Sequence, residues 1–146
     1  MNENFYLACE VNHPKYQFSP FRISKIQNAS FTKKTFHQNR EIADFIKKMQ
    51  TPFSKYTPDF KQHLIEVIVE VHSKKAGHFK AKKHLSSQTV LREHENGNII
   101  LKYTVTGERE VEELIKRWLP YMKVISPKSL KERIDQDLIE YSKWGQ

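Results

Sequence analysis

Residues 96–125, with the sequence NGNIILKYTVTGEREVEELIKRWLPYMKVI, contain the clearest local structural signals in this chain. Asn96-Gly97 is a pair favoured at the two central positions of a type I′ turn, where both residues take positive φ. Apolar residues alternate with polar ones from Ile99 to Val105, which predicts a strand with one buried face. The beginning of the stretch therefore predicts a hairpin turn that leads into a strand.

The apolar spacing then changes to that of an amphipathic helix. Its predicted buried stripe is Val111, Leu114, Ile115, Trp118, Leu119 and Met122. Glutamates fill the first turns, and Lys116 and Arg117 come later, an order that complements the helix dipole. Pro120 ends the helix, and the short run 123–125 can return to the sheet as a strand.

The segments on either side of this stretch extend the pattern. Alternation from Leu64 to Val71 predicts the strongest strand, residues 74–85 predict a short helix, and residues 89–94 predict a strand that enters the hairpin. The resulting order is βαββαβ, that of a ferredoxin-like sandwich whose antiparallel sheet is covered on one face by two helices. Ser129 and Glu132 are spaced as a capping box and predict the start of a last helix.

The first sixty residues predict a different kind of unit. Strands are expected over 5–11, from Tyr16 onward with an edge or bulge at Ser19-Pro20, and over 31–36. Asn39 is expected to cap a helix, and residues 51–59, with two prolines and no periodicity, are expected to form a linker. The predicted domains are thus 1–38, 39–60 (helix and linker) and 61–146.

Composition indicates a globular protein without a membrane partner. Hydrophobic residues make up 38% of the 146 positions, and no apolar run approaches the roughly 20 residues that span a bilayer. The single Cys9 excludes an internal disulfide and is interpreted as a small buried hydrophobe, so we expect a cytoplasmic protein. The net charge of +8 favours a polyanionic partner. The lysine-rich run 72–84 is either a solvated face or a phosphate-binding patch.

Catalytic and metal-binding signals are absent from the sequence. There is no nucleophile elbow, phosphate-binding loop or dinucleotide motif. His72, His78 and His84 are six residues apart and have no cysteine or clustered carboxylate partners at zinc spacings. We therefore expect no catalytic residues, no metal and no cofactor, and a protein that is not an enzyme.

The whole pattern resembles the C-terminal portion of the WYL-domain family, which consists mostly of bacterial transcription regulators. The resemblance lies in Phe5-Tyr6-Leu7, in the run Ser19-Pro20-Phe21-Arg22-Ile23-Ser24-Lys25-Ile26, and in the βαββαβ order. In that family a Trp-Tyr-Leu motif opens a strand of a small barrel, and a ferredoxin-like extension follows a helical linker. The resemblance implies an α+β fold: a partial Sm/SH3-like β-barrel followed by a ferredoxin-like βαββαβ unit with a C-terminal helix.

The function implied by the resemblance is an effector-sensing and oligomerisation region of a transcription regulator. Its ligand-binding residues would be Tyr6, Arg22 and Lys25, and its ligand single-stranded nucleic acid or a nucleotide. The chain would be a homo-oligomer. Promoter DNA would be bound only by a helix-turn-helix domain upstream of this sequence, where the first barrel strands are also expected.

Two departures from the family motif favour an alternative function. Ser19 stands where the family has its first arginine, and Lys25 replaces the last arginine without its planar, bidentate fork. The alternative is therefore a protein-interaction or dimerisation module that has lost ligand binding. Binding of single-stranded nucleic acid discriminates between the two.

Overall fold

The computed structural model describes residues 5–14, 16–52 and 54–144. In chain order, the elements are β1 (Tyr6–His13), β2 (Tyr16–Arg22), α1 (Arg40–Lys48), β3 (Ile65–Val71), α2 (Ser73–Ala81), β4 (Thr89–Glu93), β5 (Ile99–Val105), α3 (Arg109–Arg117), β6 (Met122–Ser126) and α4 (Lys128–Trp144). They form a two-stranded sheet, β1-β2, and a four-stranded sheet of order β4-β5-β3-β6. The α+β class is confirmed, and the described residues contain no closed barrel.

The four-stranded sheet has the predicted βαββαβ connectivity. All of its neighbouring strands are antiparallel, and β3 and β5 form its centre, with Val67 opposite Tyr103 and Val69 opposite Leu101. The helices α2 and α3 cover one face, where Phe79 and Ile115 pack against the buried strand residues. The other face is partly exposed and carries a Lys102–Glu66 ion pair of 2.8 Å. One face is thus buried and the other wet, as the alternation predicts.

The hairpin turn between β4 and β5 differs from the predicted type I′ geometry. Gly97 has φ of +80°, whereas Asn96 does not have positive φ. The His94 N–H donates to the Asn98 carbonyl at 2.8 Å, and the Gly97 N–H donates to the His94 carbonyl at 2.9 Å. These bonds define a three-residue loop whose last residue is a left-handed glycine. The Asn96-Gly97 pair therefore predicted the position of the turn correctly, but not its type.

Two predictions about the last helices are also corrected. Helix α3 ends at Arg117, and Met122 is the first residue of β6, opposite Val71, rather than the end of the helical stripe. Helix α4 begins at Lys128, and the Ser129 hydroxyl donates to the Glu108 carboxylate rather than forming a capping box. Arg133 adds bonds of 2.7 Å and 3.0 Å to α3, so charged side chains bind α4 to it.

The N-terminal unit is an aromatic cluster between the β1-β2 hairpin and α1. Asn39 caps α1 as predicted, its side chain accepting from the N–H groups of Glu41 and Ile42 at 3.0 Å and 3.2 Å. The buried residues of this second core are Phe18, Ile42, Phe45, Tyr56 and Phe60. Burial, with nearby Glu41, raises the pKa of Tyr56 to about 12. Tyr56 therefore comes from the segment 51–59 that we expected to be a linker, and Phe60 directly follows that segment.

The predicted third strand over residues 31–36 is wrong. This segment has no strand structure, and Phe31 and Phe36 are fully or almost fully exposed. Apolar and threonine residues give it strand propensity, but propensity produces a strand only where a partner strand and a buried face are present. The predicted partial barrel therefore consists, among the described residues, of the β1-β2 hairpin alone.

A polar cluster joins the N-terminal unit to the ferredoxin-like one. Glu110, only 2% exposed, accepts from the Thr106 N–H at 2.7 Å, from the Thr106 hydroxyl at 2.6 Å and from the Ser54 hydroxyl. Gln50 donates to the Thr104 carbonyl at 2.7 Å and accepts from Ser87. Because these buried groups satisfy one another, they fix the segment that precedes β3 against β5 and α3.

Candidate functional site

The β1-β2 hairpin brings two of the three predicted site residues together. Tyr6 lies directly opposite Arg22, so their side chains project from the same face of the hairpin. The Arg22 guanidinium lies 5.8 Å from the centre of the Tyr6 ring, and its Nη2 lies 3.4 Å from the Tyr6 hydroxyl. This geometry is that of a cation over an aromatic face. It offers both a stacking surface and a positive charge to solvent.

The third predicted residue, Lys25, lies elsewhere. So does Ser19, which stands where the family motif has an arginine. Lys25 is exposed at the end of the 3₁₀ turn Ile23–Lys25, and among the described residues it makes no hydrogen bond or ion pair with Tyr6 or Arg22. Ser19 lies opposite Cys9 on the other face of the hairpin from Arg22, because it is an odd number of residues away. Tyr6 and Arg22 are therefore the formed part of the predicted site.

An open groove of about 1090 Å³ runs along β1, and neither Tyr6 nor Arg22 is among the residues that line it. One wall is β1, from Leu7 to Asn12, and the other includes Ile42, Ala43 and Ile46 of α1. Glu10 is the one carboxylate among the residues that line it in the described structure. Sequence reasoning missed this groove because it depends on how α1 packs against the hairpin.

The lysine-rich run 72–84 folds as α2 and the loop after it. Some of its lysines contact a carboxylate or an aromatic ring. Lys80 pairs with Glu93 at 2.5 Å, and the Lys75 ammonium lies 5.3 Å from the centre of the Tyr121 ring. His72 caps α2, its Nδ1 accepting from the Lys74 N–H at 3.2 Å. Within the described ranges, no group of three or more His, Cys, Asp or Glu side chains is placed to hold a metal ion.

An imidazole and indole cluster, also missed from the sequence, lies at the end of α2. Trp118 contacts Phe79, His78 and His84, with ring centres 5.0 Å, 5.7 Å and 5.4 Å away. The His84 Nε2 and the Trp118 Nε1 are buried without a hydrogen-bond partner. Burial, followed by the positive charges of Lys82, Arg117 and His78, lowers the pKa of the His84 imidazole.

The lowered pKa of His84 predicts a loss of stability in acid. The unfolded chain protonates this histidine near its ordinary value of 6.5, whereas the folded chain does so only at lower pH. The unfolded state therefore holds more protons in that window, and stability is complete above pH 6.5 and falls below it. We expect His84→Gln to reduce this acid-dependent loss in urea unfolding measured above and below pH 6.5. An unchanged pH dependence would contradict the assignment.

None of the helices in the described residues is both long and apolar enough to cross a membrane. Cys9 is a free thiol, partly buried on β1.

Comparison with known proteins assigns the ferredoxin-like part of the chain. No curated protein matches. The family model of the WCX domain matches residues 63–140, a span that includes β3 to β6 and most of α4. The WCX domain is a WYL-associated C-terminal domain, so the match is consistent with the C-terminal portion of a WYL-type regulator. The matched span covers more than half of the chain, so the chain belongs to the WCX-domain family.

Proposed function

We propose that this chain is the effector-sensing region of a WYL-type transcription regulator, a non-enzymatic module that binds single-stranded nucleic acid or a nucleotide. The observation that carries the proposal is the Arg22 guanidinium over the Tyr6 ring on an exposed strand pair. Lys25, exposed just beyond β2, is the third ligand-binding residue of the proposal. Promoter DNA is the target of a separate, upstream domain in this proposal.

The chemistry of the pair suits a nucleotide. A base can stack on the guanidinium plane or on an aromatic ring, and this stacking tolerates any base. The cations of Arg22 and Lys25 would meet the phosphate, and the net charge of +8 favours the approach of a polyanion. The membership of the WCX-domain family supports a regulatory role for the region as a whole.

A titration with labelled single-stranded DNA and RNA, followed by fluorescence anisotropy at two salt concentrations, tests this proposal. We expect saturable binding that weakens with salt. The double variant Arg22→Ala and Lys25→Ala should lose about tenfold in affinity and flatten the salt dependence, because fewer counterions are released. The double variant Lys128→Ala and Lys143→Ala is the charge-matched control, since both lysines are exposed on α4. Absence of saturable binding at low salt would rule out the sensor function.

One observation favours the alternative function, a protein-interaction or dimerisation module without ligand binding. Large apolar side chains are exposed along residues 5–36, namely Phe5, Leu7, Phe21, Ile23, Ile26, Phe31 and Phe36. Phe5, Leu7, Phe21 and Ile23 share one face of the hairpin, and exposed apolar surface of this kind is typical of protein contacts. Light scattering supports this function if the chain associates while single-stranded nucleic acid does not bind.

A further inference from the structure

The solvent-facing side of α2 carries a row of basic side chains. Lys74, His78 and Lys82 are spaced at i, i+4 and i+8, so they follow one another along the helix, and all three are exposed. Lys82 closes the last turn, because its N–H donates to the His78 carbonyl at 3.1 Å. The row is about 12 Å long at the rise of an α-helix. Basic groups therefore face solvent over the whole length of α2.

The segment that follows α3 packs along one flank of this row. Trp118 contacts His78 with ring centres 5.7 Å apart, and the Lys75 ammonium lies 5.3 Å from the centre of the Tyr121 ring. Both aromatic rings are only partly exposed. Their contacts with α2 therefore hold the basic side chains of this flank beside the row.

Arg117, at the end of α3, adds a further cation to this surface. It is exposed. Burial, followed by the charges of Lys82 and Arg117, lowers the pKa of the His84 imidazole, which places the two cations near the same end of α2. The surface formed by these basic groups is called the α2 face, and it consists of Lys74, Lys75, His78, Lys82 and Arg117.

The cations of the α2 face have no carboxylate partners. Lys80, on the other flank of the helix, pairs with Glu93, and Lys116 pairs with Glu112 and Asp137. Over the part of the chain that the structure describes, no member of the α2 face forms an ion pair. Their charge is therefore available to an external anion.

Helix stability does not explain the composition of this face. Lys74 and Lys75 lie in the first turn of α2, which has no acidic residue, and positive charge at that end opposes the helix dipole. Gly77 lies exposed in the middle of the row, where an added Cβ would meet nothing within 4 Å. Glycine weakens a helix interior relative to alanine, so internal packing gives no reason for it. Close approach of a polyanion accounts for both features.

We propose that the α2 face binds the sugar–phosphate backbone of double-stranded DNA. Trp118 and Tyr121 already contact basic side chains, so the face offers charge but no free ring on which an unpaired base can stack. In a duplex the bases are paired and the phosphates form a regular, exposed array that suits a row of cations. The match to a domain of WYL-type regulators favours DNA over RNA as the duplex.

This contact differs from the ligand site proposed on the β1-β2 hairpin. Phosphate contacts position a duplex without reading its sequence, so the α2 face adds affinity and leaves sequence recognition to another domain. The residues of the α2 face belong to the WCX domain, whereas Tyr6 and Arg22 belong to the N-terminal unit. The inference therefore does not rest on nucleotide binding by the hairpin.

Fluorescence anisotropy with a labelled DNA duplex, measured over a series of salt concentrations, tests the proposal. The double variant Lys74→Ala and Lys82→Ala should bind about tenfold more weakly, and the slope of log K against log salt should fall by about 2, because two phosphate contacts are lost. The double variant Lys128→Ala and Lys143→Ala removes the same charge from α4 and should bind like the wild type. Circular dichroism should show both variants folded, since all four lysines are exposed.

Four outcomes overturn the proposal. The first two are the absence of saturable duplex binding at low salt and an equal loss of affinity in the two lysine pairs. The third is loss of single-stranded binding, with duplex binding kept, in Lys74→Ala and Lys82→Ala. The fourth is tighter binding of duplex RNA than of duplex DNA. The Arg22→Ala and Lys25→Ala chain should keep duplex binding, so failure of the hairpin site and failure of the α2 face are distinguished.

Discussion

Phe45→Ala is expected to unfold the N-terminal unit while the WCX domain stays folded. Phe45 is completely buried, and its ring centre lies 5.3 Å from Phe18, 5.4 Å from Tyr56 and 5.1 Å from Phe60. Truncating a buried phenylalanine costs about 3–5 kcal/mol. This second core has only five buried hydrophobic residues, so the cost is comparable to the whole stability of such a small unit.

Helix α1 depends on that packing. It has nine residues, which is too short for a stable helix in water without tertiary contacts. Loss of Phe45 therefore removes the support of α1 and of the hairpin together. The seventeen residues of the larger core contain none of the five, so β3 to β6 keep their buried face. The loss of structure should be local.

Hydrogen exchange measured by mass spectrometry checks this expectation. Amides of β1, β2 and α1 should lose protection in Phe45→Ala, whereas those of β3 and β5 should keep it. Phe36→Ala is the matched control, because the same truncation at an exposed phenylalanine should change stability by less than about 0.5 kcal/mol. Loss of protection across both sheets would contradict the prediction by showing one cooperative unit.

The parts of the fold that could be predicted from sequence are those in which burial is periodic. Strands β3 and β5 alternate in burial along their whole length, and α3 buries residues at helical spacing. These periods of 2 and 3.6 appear directly in the sequence. Met122 shows the limit of the method, because its position fits the helical stripe although it begins β6. A buried position fits the helical stripe and the start of a strand equally well, so burial alone cannot decide between the two structures.

Buried residues that do not follow a regular spacing could not be predicted from the sequence. Tyr56 and Phe60 lie in a segment with two prolines and no regular strand, so no period marked them as core residues. The converse holds for Phe31 and Phe36, whose strand-like composition has no partner strand. In both cases the deciding factor is a tertiary contact that is remote in sequence.

The candidate site could be predicted only in part. The family motif identified Tyr6 and Arg22, and the hairpin register brings them face to face. The groove and the contacts of Trp118 with His78 and His84 depend on the packing of separate elements. A single sequence contains no local signal for such arrangements. The ligand-binding roles of Tyr6, Arg22 and Lys25 remain part of the proposal, and Lys25 lies apart from the other two in a turn after β2.

Glu110→Ala is expected to lower the free energy of unfolding by about 3 kcal/mol. In the sequence this residue is one of several glutamates that suit the start of α3, yet it is buried and accepts from Thr106 twice and from Ser54. Removing a carboxylate that satisfies buried donors costs about 1–3 kcal/mol for each group left unpaired. Glu113→Ala, on the exposed face of the same helix, is the control and should have little effect.

The position of Glu110 makes its effect larger than that of an ordinary hydrogen bond. Through Ser54 it holds the segment before β3, and Thr106 in turn accepts from the Lys55 N–H at 2.8 Å. The loss should therefore weaken the contact between the N-terminal unit and the WCX domain as well as α3 itself. A double-mutant cycle with Ser54→Ala, measured by urea unfolding, should give a coupling energy of about 1–2 kcal/mol. Strict additivity would show that Glu110 acts within the WCX domain alone.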